Sequence, residues 1–194
     1  MADNAGGVQV RAELTPNPDT VKFIVNRTFF PSGSCNFPDR TKASDSLLAS
    51  HLFQIQSVQE VMIGTNFVSV TKSSNADWQG ILPQVNTELQ KFLETNQPVV
   101  SDSLLPNESP SGEKSAGIDS DIETKIKKIL DEEIRPAIAM DGGDVVYHGF
   151  QEGVVQLHLQ GACRSCPSAT MTLRMGIEAR LKQAIPEVKE VVPV

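Results

Sequence analysis

The chain has 194 residues, 39% of them hydrophobic and 21% charged, which is enough for one large domain or two small ones with buried cores. Its 17 basic and 24 acidic residues give a formal net charge of -7, which argues against non-specific binding to nucleic acid or an anionic membrane, because both need clustered positive charge. No apolar run approaches the ~20 residues of a membrane span, and the first residues lack the pattern of a secretory signal or transit peptide. We therefore expect a soluble protein of the cytoplasm, or of the mitochondrial matrix if the chain is a mature eukaryotic protein.

Residues 1–96 predict a small α+β domain. Alternation of apolar and polar residues predicts four strands, at 8–14, 21–25, 60–63 and 67–71. Apolar residues at helical spacing predict a short helix over 45–53 and a longer helix over 77–95. The segment 29–39 contains Cys35 together with prolines and a glycine, so it is expected to form a loop.

Residues 97–117 interrupt this pattern. Three prolines, five serines and two glycines fall within them, and the apolar residues show no clear period. Such a composition is typical of a flexible linker. The fold class we expect is therefore α+β, with two small α+β domains, at 1–96 and 118–194, joined by the linker.

The C-terminal domain predicts the element order α-β-β-α-β. An apolar stripe indicates a helix over 120–139, with Pro136 bending its last turn and Gly142-Gly143 ending it. Two strands, a second helix and a short last strand follow, at 145–150, 154–159, 166–185 and 188–192. These elements would form a small mixed sheet with two helices on one face.

Cys163 and Cys166 form a Cys-x-x-Cys pair between the second strand and the second helix. Pro167 suits the first helical position, which places Cys166 at the start of the helix, where the helix dipole favours a thiolate. Two thiolates are half of the four that a zinc or iron–sulfur site usually takes. Cys35 is a candidate third ligand, but a fourth would still be missing. The simpler arrangement is a two-fold dimer in which each chain contributes Cys163 and Cys166.

These residues also resemble a known family. The runs D-G-G-D-V at 141–145 and V-V-Q-L-H-L-Q-G-A-C-R-S-C-P-S-A-T at 154–170 are similar to the NifU-type C-terminal domain of Nfu proteins. The N-terminal half resembles the Nfu N-terminal domain in T-P-N-P-D-T-V-K-F at 15–23, L-L-A-S-H-L-F at 47–53 and F-V-S-V-T-K at 67–72. The resemblance implies a carrier, not an enzyme, that binds a [4Fe–4S] cluster at a homodimer interface and passes it to apo-proteins.

The family's ligating pair maps onto Cys163 and Cys166. The implied partners are an upstream cluster assembly scaffold and apo-enzymes such as lipoate synthase or aconitase-like dehydratases. The N-terminal domain would dock one or the other. We expect a monomer without the cluster and a dimer with it, since a domain of this size has a modest core and the cluster can supply much of the association energy.

Several alternatives stay open at this point. A thioredoxin-like dithiol oxidoreductase could use the same cysteine pair, and a zinc-bridged adaptor could use the same four thiolates, with zinc also possible as a substitute for the cluster. The acidic run at 141–144 could bind a metal, although a helix end and turn is the simpler interpretation. His148 and His158 are strand residues and are not expected to be ligands. The methionines at 140, 171 and 175 suit either a core or a dimer contact.

Overall fold

The computed structural model describes the backbone of residues 7–101, 104, 118–164 and 167–194, and all of their side chains except those of 118–120 and 167–170. The chain divides into two compact units, Met1–Asn107 and Glu108–Val194. Both units combine helices with a sheet, so the predicted α+β class is confirmed. No helix in the described parts of the chain is both long and apolar enough to cross a membrane.

The N-terminal unit is built on an antiparallel five-stranded sheet of order β1-β2-β5-β4-β3. Its strands are β1 (Val10–Leu14), β2 (Thr20–Val25), β3 (Cys35–Phe37), β4 (Val58–Ile63) and β5 (Phe67–Lys72). A 3₁₀ turn at Arg40–Asp45 leads into helix α1 (Leu47–Leu52), and α2 (Trp78–Glu94) follows the sheet. Alternate strand residues such as Phe23 and Val70 are fully buried in one core with the apolar stripe of α2.

Two segments of this unit differ from the prediction. The expected loop over 29–39 contains strand β3, which pairs with β4 through Cys35, opposite Ile63. The unit also extends beyond residue 96, because Val99 and Val100 are buried in its core. The hydroxyl of Ser46 donates to the Val99 carbonyl at 2.5 Å. The first residues of the expected linker therefore pack against the N-terminal domain.

A partly buried ion pair ties β5 to the turn before β2. Lys72 Nζ donates to Asp19 Oδ1 at 2.6 Å, and only 7% of the Lys72 side chain is exposed. Ser74 Oγ donates to the other carboxylate oxygen at 2.8 Å. These hydrogen bonds, the one from Lys72 first, hold the pKa of Asp19 below its usual value.

We expect Asp19→Asn to lower the free energy of unfolding of this unit by about 1–3 kcal/mol at pH 7, because the Lys72 ammonium stays buried without its carboxylate. The contribution is fully present above the ordinary aspartate pKa of about 3.9 and is lost as the pH falls through the lower folded-state pKa. Urea unfolding followed by the fluorescence of Trp78, the single tryptophan, measures this unit. The free energies of unfolding of the variant and the wild type should converge in acid.

Glu13→Gln is the control, because it removes an exposed ion pair with Arg11. It should change the free energy of unfolding little. An effect of Glu13→Gln as large as that of Asp19→Asn would contradict the role given to the Asp19–Lys72 pair.

The C-terminal unit begins with one continuous helical stretch of α3 (Ile118–Ile129), a π-helical segment (Leu130–Ile134) and α4 (Arg135–Met140). The sequence predicts a bend at Pro136, and the π-helical segment ends at Ile134, two residues before this proline. A proline has no N–H for the bond to the residue four positions back and its ring crowds that carbonyl, so a wider turn accommodates it.

Three strands complete the unit: β6 (Gly143–Gln151), β7 (Val154–Gly161) and, after helix α5 (Pro167–Ala184), β8 (Glu190–Pro193). β6 pairs with β7 antiparallel, and β7 pairs with β8 parallel, so the predicted mixed sheet is confirmed. Val155, Leu157 and Leu159 of β7 point into the core, as their alternation predicts. Ile126 of α3 and Leu181 of α5 are both fully buried in this core. The two helices therefore share one core with the sheet.

Candidate functional site

The cysteine loop connects β7 to α5. Gly161 has a φ of 60°, in the region that favours glycine, and its carbonyl accepts a hydrogen bond of 3.0 Å from the Arg164 N–H. The resulting turn holds Cys163, whose residue is 5% exposed and belongs to the C-terminal core. Pro167 is the first residue of α5, as predicted. Cys166, the other predicted ligand, lies outside the described residues.

Gly142 and Gly143, which we call the glycine corner, pack against the loop that carries Cys163. Gly142 has a φ of 76°, and its carbonyl accepts a hydrogen bond of 3.2 Å from the Ala162 N–H. Gly143 begins β6 opposite Gly161. A methyl group built on Gly143 would overlap Sγ of Cys163 and would lie 3.0 Å from the Gln160 carbonyl oxygen. The missing side chain of Gly143 therefore leaves the space that the thiol occupies.

An ion pair fixes this corner to the helix before it. Arg135 donates to both carboxylate oxygens of Asp144, from Nε at 2.9 Å and from Nη2 at 2.7 Å. Its third nitrogen donates to Asp131 at 3.0 Å. The Val145 N–H also donates to Asp144, at 2.8 Å. The hydrogen bonds with Asp144 raise the pKa of Arg135 above its usual value, so the guanidinium stays charged.

The two aspartates of the acidic run at 141–144 therefore have structural roles in the fold. Asp141 is the capping residue directly after the last residue of α4, and the Asp144 carboxylate is held by Arg135. This arrangement favours a helix end and turn over an acidic metal site. The sequence shows the D-G-G-D run, but nothing in its spacing reveals that Arg135 pairs with Asp144 or that Gly143 contacts the cysteine.

Cys35 does not suit the role of a third ligand. It is 8% exposed in the N-terminal core, and its thiol donates to the Leu104 carbonyl at 3.1 Å. Burial raises the pKa of this thiol to about 11. A metal ligand must be a thiolate, and this environment keeps the proton on the sulfur.

The remaining residues weighed from the sequence lie on the surface or contact backbone. His148 is exposed, and a ring nitrogen of His158 hydrogen-bonds the Val194 carbonyl at 2.5 Å. The methionines are 77% exposed at 140, 68% at 171 and 67% at 175, so a core role for them is wrong. They lie on the outward faces of their helices.

One chain offers a partial ligand set. Among the residues that the structure describes, no group of three or more His, Cys, Asp or Glu side chains is placed to hold a metal ion. Cys163 is the candidate ligand that this part of the chain provides, on a loop whose position is set by the glycine corner. A complete four-thiolate site needs further cysteines from elsewhere.

Comparison with known proteins agrees with the residues that carry the resemblance. The family model described as NifU-like domain matches residues 126–192, and the one described as Scaffold protein Nfu/NifU N terminal matches residues 10–96. The chain is 39% identical over 183 residues to the human protein named NFU1 iron-sulfur cluster scaffold homolog, mitochondrial, covering 94% of this chain and 70% of that protein.

Two further relatives show the same extent of similarity. NifU-like protein C1709.19c of Schizosaccharomyces pombe is 38% identical, with 96% of this chain and 73% of that protein covered. NifU-like protein 4, mitochondrial, of Arabidopsis thaliana is 37% identical, with 94% and 64% covered. The chain thus spans between 64% and 73% of the length of these three relatives. The expected family is confirmed: the chain belongs to the Nfu/NifU family, with an Nfu-type N-terminal domain followed by a NifU-like domain.

Proposed function

We propose that this protein is an iron–sulfur cluster carrier that holds one [4Fe–4S] cluster between two copies of the chain and delivers it to apo-proteins. Each copy supplies Cys163 and Cys166. The observation that carries the proposal is the position of Cys163. It lies on a loop that packs against the glycine corner and leads into α5, in a chain of the Nfu/NifU family. Relatives are named as iron–sulfur cluster scaffolds, which supports the same cargo.

Two copies are proposed because one falls short of four ligands. The described residues of one chain contain no cluster of three potential ligands, and the Cys-x-x-Cys pair contributes two thiolates. A two-fold axis through the loop doubles this number without any further residue. The 18-residue helix α5 begins directly after Cys166, and its positive N-terminal end stabilises negatively charged sulfur.

Delivery needs no redox change. Client thiolates replace the four cysteine sulfurs on iron one by one, and the released thiolates of this protein take up the protons that the client thiols lose. The carrier therefore performs no catalytic turnover, and the cluster is its cargo. We place the protein in an aqueous compartment, the mitochondrial matrix for a eukaryotic chain, in keeping with the relatives named as mitochondrial. Its partners would be an upstream assembly scaffold and apo-enzymes of the lipoate synthase and aconitase classes.

Anaerobic reconstitution with iron and sulfide tests the proposal. We expect a broad absorption band near ~400 nm and about two irons per chain, which corresponds to one [4Fe–4S] cluster per dimer. Cys163→Ser and Cys166→Ser should each lose the band and the iron. Cys35→Ser is the matched control and should retain both, because its buried thiol points into another core.

Other outcomes identify the alternatives. A colourless protein with firmly held zinc that is not passed on would support the zinc-bridged adaptor. A protein without iron whose cysteine pair cycles between dithiol and disulfide would support the oxidoreductase. Either result would overturn the carrier proposal.

A further inference from the structure

We infer that the methionine surface, defined by Met140, Met171 and Met175, is where the second copy of the chain packs when the cluster is shared. This inference rests on the proposed function and adds to it the surface that the two copies use. The supporting observation is the position of these exposed apolar side chains.

The exposed apolar side chains of the C-terminal unit lie chiefly on two helices, α4 and α5. Its large hydrophobic residues with the greatest exposure are the three methionines, at 67–77%, followed by Val194 at 50%, within the described part of the unit. Met171 and Met175 are one turn apart and share a face of α5.

Both elements that carry the methionines meet at the cysteine loop. Met140 is the last residue of α4, and Gly143, three positions later, contacts Cys163. Met171 and Met175 lie about 6 Å and 12 Å along α5 from its first residue, at a rise of 1.5 Å per residue, and that residue follows Cys166 directly. A protein that brings its own thiolates to this loop must come close to these side chains.

The occupant that fits is a second copy. The Cys-x-x-Cys pair of one chain supplies two of the four thiolates of the proposed site, and an identical chain would supply the other two. A two-fold arrangement sets each methionine surface against the same surface of its partner. Methionine suits such a contact because its flexible side chain adapts to an irregular apolar neighbour. Three side chains offer a few hundred Å², well below the ~800 Å² per partner of a standard stable interface. The surface alone is therefore too small, and the dimer depends on the cluster.

The test uses the full chain carrying Met171→Glu and Met175→Glu, reconstituted anaerobically and measured by sedimentation velocity over a concentration series. We expect the cluster-loaded dimer to dissociate at least tenfold more readily than the wild-type dimer, because two carboxylates from each copy would face an apolar contact. The milder pair Met171→Ser and Met175→Ser should shift it in the same direction. Far-UV circular dichroism of the cluster-free variants should match the wild type, since the replaced side chains are exposed.

Two controls test whether an added carboxylate at an exposed residue weakens the dimer wherever it is placed. Gln183→Glu adds one carboxylate to an exposed position of the same helix, and Leu14→Glu places one at an 88% exposed residue of the N-terminal unit. Both should dimerise as the wild type does. If the methionine variants load iron and dimerise as tightly as the wild type, the surface is wrong and the carrier function stands. If the wild type takes up no iron, the proposed function fails and this inference fails with it.

Discussion

Gly143→Ala is expected to expose Cys163 and to weaken its hold on a cluster. A methyl group at this position overlaps the Cys163 sulfur and closely approaches the Gln160 carbonyl, which cannot move without breaking strand pairing. The thiol must therefore leave its buried place. The φ angle of Gly143 is not among the positive values seen at Gly142 and Gly161, so alanine has no unfavourable backbone angle to adopt there. Overlap with the thiol is the expected cause of any effect, at a cost of about 1–3 kcal/mol.

Site-resolved alkylation measures this displacement. Arg164 separates the two cysteines of the pair, so trypsin releases Cys163 and Cys166 on different peptides after treatment with iodoacetamide. In the cluster-free wild type, Cys163 should react slowly because it is 5% exposed. We expect Gly143→Ala to raise its alkylation rate at least tenfold and to lower the iron count after reconstitution.

Gly149→Ala is the matched control for this experiment. It lies in the same strand, and a methyl group there would be 3.8 Å from the Gln156 side chain, an ordinary contact. Cys35 serves as an internal standard, because burial raises its pKa to about 11 and keeps its alkylation slow in every variant. An unchanged Cys163 rate in a folded Gly143→Ala protein would show that the glycine does not position the thiol.

Sequence periodicity predicts the fold well where a segment is long and its neighbours are close along the chain. The alternation over 154–159 and the apolar stripe of 120–139 identify β7 and the first helix of the C-terminal unit. Strand β3 is missed because three residues are too short to show a period, and it exists only through its pairing with β4. The packing of Val99 and Val100 is missed for a similar reason, since two apolar residues among prolines and serines carry no pattern.

The candidate site divides in the same way. The Cys-x-x-Cys spacing and the proline after it are local, so the sequence predicts the ligand candidates and the helix start. The contact between Gly143 and Cys163 joins residues 20 positions apart and depends on how β6 pairs with β7. The pairing of Arg135 with Asp144 likewise requires the helix and the strand to be placed first. Tertiary contacts hold the cysteine loop in place, whereas the candidate ligands themselves are recognised from a local sequence motif.

Asp144→Ala should be the most destabilising single change at this site. It leaves Arg135 with Asp131 alone, and it removes the acceptor of the Val145 N–H at the start of β6. The Asp144 side chain is 8% exposed and the Arg135 side chain 28%, so water replaces the lost partner poorly. Breaking such a pair costs about 3 kcal/mol, which is more than a hundredfold in the folding equilibrium of the C-terminal unit.

Hydrogen exchange measured by mass spectrometry assigns this loss to the right unit. Peptides from β6 and β7 should exchange faster in Asp144→Ala, while the unfolding transition reported by Trp78 in the N-terminal unit stays unchanged. Glu133→Gln, which breaks a more exposed pair with Arg180, should change exchange far less. Because the same corner covers Cys163, faster exchange in Asp144→Ala should bring faster alkylation of that cysteine. Normal exchange and alkylation in the variant would mean that glycine packing alone holds the corner and that the ion pair is dispensable.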